Sequence, residues 1–299
     1  MGLRFRKTIS LLPGVRLNIS KSGLGLSAGV PGLRGSINTS GRVTGTASIP
    51  GTGVSYQKSK TLFGKKKKAE KTAKTKSTKA IGDKSSAKSM KSADAPKKLP
   101  SSASVQIDEN TLKSIHNASD EKIDWKKLAQ AESAEGFSYD EETWAYLHEA
   151  APAILKGDID TYLQVIFDVN PLDDLLDYGS NFEFGTDNPT KVEVEFVIND
   201  AALSDAAQRL NQIDYNALLQ DFVCSMSLRI ARDMFALLPV QDVIVHTVLD
   251  GETIFSVDFG IDNFSKINFG YIDASNTATK FRNNMSFDAK RGFAPVNRV

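Results

Sequence analysis

The acidic residues between positions 158 and 187 form one group of potential metal ligands in the chain. They are Asp158, Asp160, Asp168, Asp173, Asp174, Asp177, Glu183 and Asp187. Carboxylate oxygens suit Mg²⁺ and Ca²⁺, but no Asp-x-Asp-x-Asp-Gly calcium loop is present. Carboxylates at these spacings on short helices are typical of a solvated face. The pattern therefore predicts no metal site, and a metal-dependent enzyme using Asp173, Asp174 and Glu183 stays an alternative.

The single cysteine and the three histidines give little support to nucleophilic or zinc chemistry. Cys224 lies in an apolar helical run, where a free cysteine usually behaves as a small core residue. His116, His148 and His246 have no second histidine or cysteine at ligand spacing. His246 lies within an apolar strand, which favours a hydrogen-bonded structural imidazole over a catalytic one. We therefore predict no catalytic residue and no cofactor.

The glycine-rich stretch 23–29 has some likeness to a dinucleotide-binding loop. Its third glycine comes one position late, and the surrounding sequence is rich in turns and short strands. No helix begins after it, so no helix N-terminus is available for a phosphate. Nucleotide binding is not predicted there.

A set of basic residues without any acidic neighbour is the clearest functional signal. Its members are Arg4, Arg6, Lys7, Arg16, Lys21, Arg34 and Arg42, and no Asp or Glu occurs from Arg4 to Tyr56. Unopposed guanidinium and ammonium groups create a positive potential that attracts phosphate-bearing polymers. Only Phe5 and Tyr56 could stack on bases, so base-specific recognition is not expected. The other interpretation is a solubilising surface whose charge is balanced by the acidic part of the same chain.

The two ends of the chain carry opposite charge, although the net charge of the 299 residues is only +1. Up to Lys98 there are 22 basic and 3 acidic residues, and from Leu99 onward there are 15 basic and 33 acidic ones. Composition also changes along the chain. We predict three segments: a basic Gly-rich β module at 1–56, a disordered Lys/Ser-rich linker at 57–104, and an acidic α+β domain at 105–299.

The first segment is predicted to be a small antiparallel β meander of four to six strands. Its short apolar stretches alternate with polar residues, as in residues 15–20. Pro-Gly and Ser-Gly pairs separate them, and such pairs favour turns because proline fixes φ and glycine permits positive φ. The module has few large side chains, so unpaired edge strands could also pair between chains. Self-assembly is a third alternative for the function.

The first 56 residues also resemble a known family. The sequences RFRKTISLLPGVRLNISKSGLGLSAGVPG and GRVTGTASIPGTGVSY are similar to a short N-terminal domain of many bacterial proteins, the domain of unknown function 4236. The later segments LKGDIDTYLQVIFDVNPLDDLLDYGSNFEFGTD and LRIARDMFALLPV resemble the C-terminal region of longer members. The resemblance implies a two-part architecture and brings no catalytic residues with it.

The third segment is predicted to place helices on a small antiparallel sheet. Ser138 and Glu141 have the spacing of a capping box that would begin a helix. Periodicity predicts further helices at 159–169 and 215–238, the second being the central one. It also predicts strands at 192–198, 240–249 and 252–259. Asp250 and Gly251 predict a tight hairpin turn between the last two strands.

These patterns together favour a non-enzymatic interaction protein. Its basic module would bind an anionic partner, with nucleic acid as the first candidate and an anionic membrane surface as the second. A lone cysteine and the absence of a run of roughly 18 apolar residues favour the cytoplasm.

Overall fold

The computed structural model describes the backbone of residues 4–12, 15–20, 23–30, 33–38, 42–49 and 54–61, and then residues 108–178, 181–198 and 203–299. Six strands lie in the first part. They are β1 Arg4–Leu12, β2 Val15–Ser20, β3 Gly23–Val30, β4 Leu33–Asn38, β5 Arg42–Ile49 and β6 Val54–Thr61. Each strand pairs antiparallel with the next. The linker prediction falls, from residue 62 to 104, outside the described residues, and the three segment boundaries stay predictions.

The C-terminal region is α+β, as predicted. Its helices are α1 Glu109–Lys113, α2 Trp125–Gln130, α3 Glu141–Leu155, α4 Ile159–Val169, α5 Ser204–Arg209, α6 Gln212–Leu237, α7 Ile261–Phe264 and α8 Ala274–Ala278. Its strands are β7 Asn181–Thr186, β8 Lys191–Val197, β9 Asp242–Leu249, β10 Glu252–Gly260, β11 Arg282–Asp288 and β12 Gly292–Ala294. Among the described residues, no helix has the length and apolar composition needed to cross a bilayer.

The six C-terminal strands form one sheet in the order β12-β11-β10-β9-β8-β7. All neighbours are antiparallel except β8 and β9, which run parallel. The prediction of an antiparallel sheet is therefore right for four of these five pairs. The exception follows from the chain between β8 and β9, because two parallel strands need a long crossover, and α5 and α6 supply it. Strand β7 also pairs antiparallel with β1.

Helix α6 packs on one face of this sheet and is buried around most of its circumference. The residues predicted to form its apolar side are all buried: Leu219, Val223, Met226, Ile230, Met234 and Leu237. The opposite side is buried too, because α1, the 3-10 turn Ile115–Asn117 and α8 pack against it. Polar residues Ser225 and Asp233 are thereby placed in the interior. They need internal partners because an unpaired buried polar group is costly.

The local sequence explains most of the element boundaries. Helix α4 begins after Asp158, whose carboxylate accepts the backbone N–H groups of residues 160 and 161, and it ends at Asn170 in the left-handed conformation. The hairpin turn between β9 and β10 has positive φ at both Asp250 and Gly251, as predicted. The predicted helix at 159–169 and the strand at 192–198 are confirmed, the strand being displaced by one residue.

The predicted capping box at the start of α3 is wrong. Asp140 is the N-cap, and its carboxylate accepts a hydrogen bond from the backbone N–H of Thr143 at 2.8 Å. Ser138 instead donates to the carboxylate of Glu121 at 3.2 Å. Asp is as good a cap as Ser, and it stands directly before the helix here, so it takes the role.

Candidate functional site

The predicted anion-binding residues lie mainly on the N-terminal strands. Arg4, Arg6 and Lys7 belong to β1, Arg16 to β2, Arg34 to β4 and Arg42 to β5, whereas Lys21 lies outside the described residues. In the pairing of β1 with β7, the Cα of Lys7 is opposite that of Glu183. The structure thus gives the strand positions of six of these residues.

The acidic residues considered as metal ligands are dispersed among structural roles. Asp158 caps α4, Asp168 accepts the hydroxyl of Tyr146 at 2.8 Å, and Asp187 pairs with Lys191 at 3.5 Å. Within the described ranges, no three His, Cys, Asp or Glu side chains come together as a metal site.

Two further acids of that group, Asp173 and Asp174, have separate partners. Asp173 accepts from the side-chain amide of Asn170 at 2.9 Å, and Asp174 pairs with Arg229 at 3.2 Å. Glu183 belongs to a different element, strand β7. The contacts of Asp173 and Asp174 give each of these two carboxylates a structural role.

Cys224 occupies the middle of α6 and is completely buried. Burial raises the pKa of its thiol, and the negative charges of Asp221 and Asp273 raise it further. A thiolate is the reactive form of cysteine, so this environment suppresses nucleophilic chemistry. The prediction that Cys224 is a core residue is confirmed.

An ionic network with a buried centre lies where the loop after the 3-10 turn meets α6, and we call it the helix network: Asp120, Asp174, Arg229 and Asp233. Arg229 and Asp233 are buried, Asp120 is half-buried and the side chain of Asp174 is 44% exposed. The Nε of Arg229 is 2.6 Å from a carboxylate oxygen of Asp233, and both side chains are almost completely buried. The other carboxylate oxygen of Asp233 accepts the backbone N–H of Asp120 at 2.9 Å. Three carboxylates thus share one guanidinium, which makes the network net negative if all are ionised.

The charge imbalance is reflected in the pKa values of the helix network. Burial raises the pKa of Asp120 to about 6, with Arg229 opposing this shift and Asp174 adding to it. Burial also raises the pKa of Asp233 well above its ordinary value, again against the attraction of Arg229. Burial by itself would lower the pKa of Arg229, but the surrounding carboxylates raise it. The guanidinium is therefore permanently charged, and the carboxylates carry the protonation changes.

His116 and Ser225 form a second polar pair inside the domain. The ring Nδ1 of His116 lies 2.9 Å from Oγ of Ser225, and the backbone N–H of His116 donates to the same oxygen at 3.0 Å. Burial lowers the pKa of His116, and the positive charge of Arg232 adds to this effect. Arg232 donates to the carbonyls of residues 116, 117 and 118, so it holds the 3-10 turn on the helix.

A third set lies on the sheet face opposite α6, and we call it the sheet network: Glu193, His246, Ser256 and Val299. Nδ1 of His246 is 2.9 Å from Oγ of Ser256, and Nε2 is 3.9 Å from a carboxylate oxygen of Glu193. Ser256 Oγ also accepts the backbone N–H of Val299 at 3.0 Å. The serine proton is thus available for Nδ1, which leaves Nε2–H facing Glu193. The prediction of a hydrogen-bonded His246 is confirmed.

The sheet network has the order carboxylate, imidazole and hydroxyl that serine hydrolases use. Here the hydroxyl of Ser256 is fully buried, and its oxygen already accepts a hydrogen bond from the backbone N–H of Val299. Arg298 pairs with Glu195, and the backbone N–H of Val296 donates to the carbonyl of Thr253, so the segment 296–299 is held across the sheet. The arrangement therefore fixes this segment on β8 and β10 and offers no open nucleophile.

Glu193 owes its low pKa to this position. The adjacent His246 ring is the main cause, burial opposes it, and the ammonium of Lys191 at 3.0 Å assists it, so the pKa of Glu193 falls to about 2. Neither the pairing of Glu193 with His246 nor the role of Ser256 was predicted from the sequence. The only available signal was the presence of polar residues at alternate positions in otherwise apolar strands.

Comparison with known proteins supports the N-terminal resemblance. Residues 3–57 match the model of a family described as a protein of unknown function, DUF4236. Neither a search of curated proteins nor a search of solved structures finds a match to the chain.

Proposed function

We propose that this is a non-enzymatic interaction protein whose basic N-terminal module binds an anionic partner, with nucleic acid as the first candidate. The observation that carries the proposal is the excess of 22 basic over 3 acidic residues up to Lys98. Each phosphate that such residues neutralise releases counterions, so binding of this kind does not need base-edge recognition. An anionic membrane surface offers the same charge and is the second candidate.

The potentially nucleophilic thiol and hydroxyl groups named above in the C-terminal region have structural roles, which supports a non-enzymatic function. The thiol of Cys224 is buried and its pKa is raised, and the hydroxyls of Ser225 and Ser256 are buried in hydrogen-bonded pairs with histidines. These are the roles of structural groups. The lone cysteine suits a reducing compartment, so we place the protein in the cytoplasm as part of this proposal.

The test measures binding of the full chain to a short DNA duplex, a single-stranded RNA and vesicles containing phosphatidylserine, over a range of salt concentrations. One variant changes all seven predicted anion-binding residues to Gln. A matched control changes seven exposed basic residues of the C-terminal region to Gln: Lys113, Lys122, Lys126, Lys156, Arg209, Lys290 and Arg291. Both variants lose the same charge, so they differ only in its location.

We expect wild-type affinity for nucleic acid to fall linearly with salt on a logarithmic scale, with a slope of about 0.9 per neutralised phosphate of duplex DNA. The N-terminal variant should bind on the order of tenfold more weakly or worse, with a shallower slope, because phosphate contacts are lost. The control should keep most of the affinity. Salt-independent or absent binding to all three probes contradicts the proposal, as does an equal loss in both variants. Stronger binding to vesicles than to nucleic acid selects the membrane surface.

A further inference from the structure

A cavity of about 600 Å³ lies where β9 begins and β10 ends, next to α7 and α8. Its volume is within the range of small-molecule sites. Charged side chains of both signs line it together with apolar ones. Of its cationic lining residues, Arg282 pairs with Asp258 and Lys266 donates to Asn263, which leaves Lys280. The other residues used below are Asp242, Ile272 and Phe281.

The carboxylate of Asp242 has no partner of its own. Within the described part of the chain it makes neither a hydrogen bond nor an ion pair, although it feels the charges of Asp258 and Arg282. Asp242 is opposite Gly260 in the pairing of β9 with β10, so no side chain from that position covers it. Burial raises the pKa of Asp242, and the negative charge of Asp258 raises it further. A cation at this position would relieve both effects.

Asp258 adds a second negative charge near the first. Asp242 is opposite Gly260, and Asp258 is two residues before Gly260 on the same strand. Alternate residues of a strand share a face, so the side chains of Asp242 and Asp258 lie on the same face of the sheet. One oxygen of Asp258 accepts from Arg282 at 2.9 Å, while the other is buried without a hydrogen-bond partner. That second oxygen is enclosed by protein, so Asp258 contributes its negative charge to the cavity and not an acceptor that a ligand can reach.

The opposite charge is supplied from α8 and the chain after it. Lys280 is exposed and lines the same cavity, and within the described residues its ammonium makes no hydrogen bond or ion pair. The same lining includes Ile272 and Phe281, which present half-buried apolar surface. The ring of Phe281 is fixed by an edge contact with Phe259, with centroids 5.0 Å apart. The cavity lining thus combines a fixed apolar ring with positive and negative groups.

We propose that this cavity binds a small zwitterion with an apolar side group, of the class of the hydrophobic α-amino acids. The ligand's ammonium group donates to Asp242, beside the negative charge of Asp258, its carboxylate pairs with Lys280, and its side group packs on Ile272 and Phe281. Binding here is independent of the proposed function of the N-terminal module, since none of these residues belongs to that part of the chain.

The test uses the full chain and three probes of similar shape: L-leucine, 3-methylbutylamine, which lacks the carboxylate, and 4-methylpentanoate, which lacks the ammonium group. Isothermal titration calorimetry and thermal shift assays measure binding. The variants are Asp242→Asn and Lys280→Gln. The matched controls are Asp250→Asn in the hairpin turn and Lys290→Gln, both outside the cavity lining.

We expect L-leucine to bind saturably and more tightly than either analogue. Asp242→Asn should weaken leucine and 3-methylbutylamine by about tenfold or more, because a charge-assisted hydrogen bond is lost. Lys280→Gln should weaken leucine and 4-methylpentanoate but leave the amine unchanged. The two control variants should bind as the wild type does.

Absence of saturable binding for all three probes overturns the proposal, and so does an equal effect of Asp242→Asn and Asp250→Asn. Circular dichroism establishes whether each variant folds. If Asp242→Asn does not fold, the comparison of probes on the wild type decides instead. Equal binding of L-leucine and its two analogues would then show that the charges are not recognised, which also overturns the proposal.

Discussion

The helix network and the sheet network place carboxylates in opposite electrostatic situations within the C-terminal region. In the helix network, Asp120, Asp174 and Asp233 share the single charge of Arg229. In the sheet network, Glu193 faces both His246 and Lys191. The pKa of Asp120 is accordingly raised to about 6, and that of Glu193 is lowered to about 2. The comparison teaches that the ratio of partners to carboxylates, together with burial, sets the sign of the shift.

The two networks make stability depend on pH in opposite directions. Asp120 has a folded pKa above its ordinary value of 3.8, so its contribution is greatest below pH 3.8 and is lost as pH rises to about 6. Glu193 has a folded pKa below its ordinary value of 4.5, so its contribution is complete above pH 4.5 and is lost as pH falls to about 2. The raised pKa of Asp233 acts in the same direction as that of Asp120.

Removing the only cation of the helix network should have the largest effect. Arg229→Met leaves buried Asp233 without its partner, and breaking a buried pair in this way costs about 3–5 kcal/mol. Urea denaturation at pH 7 measures the loss in the free energy of unfolding. Arg209→Met is the control, because Arg209 makes an exposed pair with Glu109 at 3.4 Å, and it should cost under about 1 kcal/mol.

A double variant sharpens this first prediction. Arg229→Met with Asp233→Leu removes both buried charges, and the apolar replacement should recover at least half of the lost stability. A double variant that is no more stable than Arg229→Met would show that the cost comes from packing and not from the uncompensated charge.

Neutralising Asp120 should change the free energy of unfolding in the opposite direction, and by a smaller amount. Asp120→Asn removes a charge that burial disfavours, so at pH 7 we expect a gain on the order of 1–2 kcal/mol. The slope of stability against pH between pH 4 and 6 should become shallower. Thermal unfolding across that range measures it, with Asp124→Asn as control, since Asn also caps helices well and can replace the N-cap of α2. An unchanged slope would contradict the assignment of the titration to Asp120.

Glu193→Gln should produce the smallest effect. The side chain of Glu193 is 37% exposed, so solvent screens its pairs and the loss at pH 7 should be under about 1 kcal/mol. Its diagnostic result is the pH dependence, because the fall in stability from pH 4.5 toward pH 2 should become less steep. Glu252→Gln, at the exposed start of β10, is the control. Equal acid sensitivity of the variant and the wild type would contradict the assignment of this pH dependence to Glu193.

Periodicity was sufficient to predict several elements with a strong apolar pattern, although not β7. The helix at 159–169, the central helix and the hairpin around Asp250 all have such patterns, and the structure confirms them. Strand β11 was missed because it is polar and lies next to the edge strand β12, so its sequence has no buried alternation. The parallel pairing of β8 with β9 also has no local signal, since it arises from the crossover between them.

The polar networks were beyond sequence analysis for a different reason. His116 and Ser225 are 109 residues apart, and Arg229 meets Asp174 across 55 residues. Pairing over such separations is decided by how the elements pack, and residue types alone do not determine it. The cavity is similar, because its lining comes from strand ends and from short helices that only tertiary structure brings together. The seven basic residues were predicted from charge alone, which needs no tertiary information.

Because Cys224 is completely buried, the rate at which its thiol reacts can be used to measure how the structure opens. A thiol reagent in solution can reach the sulfur only when α6 separates from the elements around it. Because Cys224 is the sole cysteine, the labelling rate then reports a single event, the sub-global or global unfolding of the domain. At reagent concentrations where labelling outpaces reclosing, following that rate in denaturant would yield the unfolding kinetics of the native chain without any engineered probe.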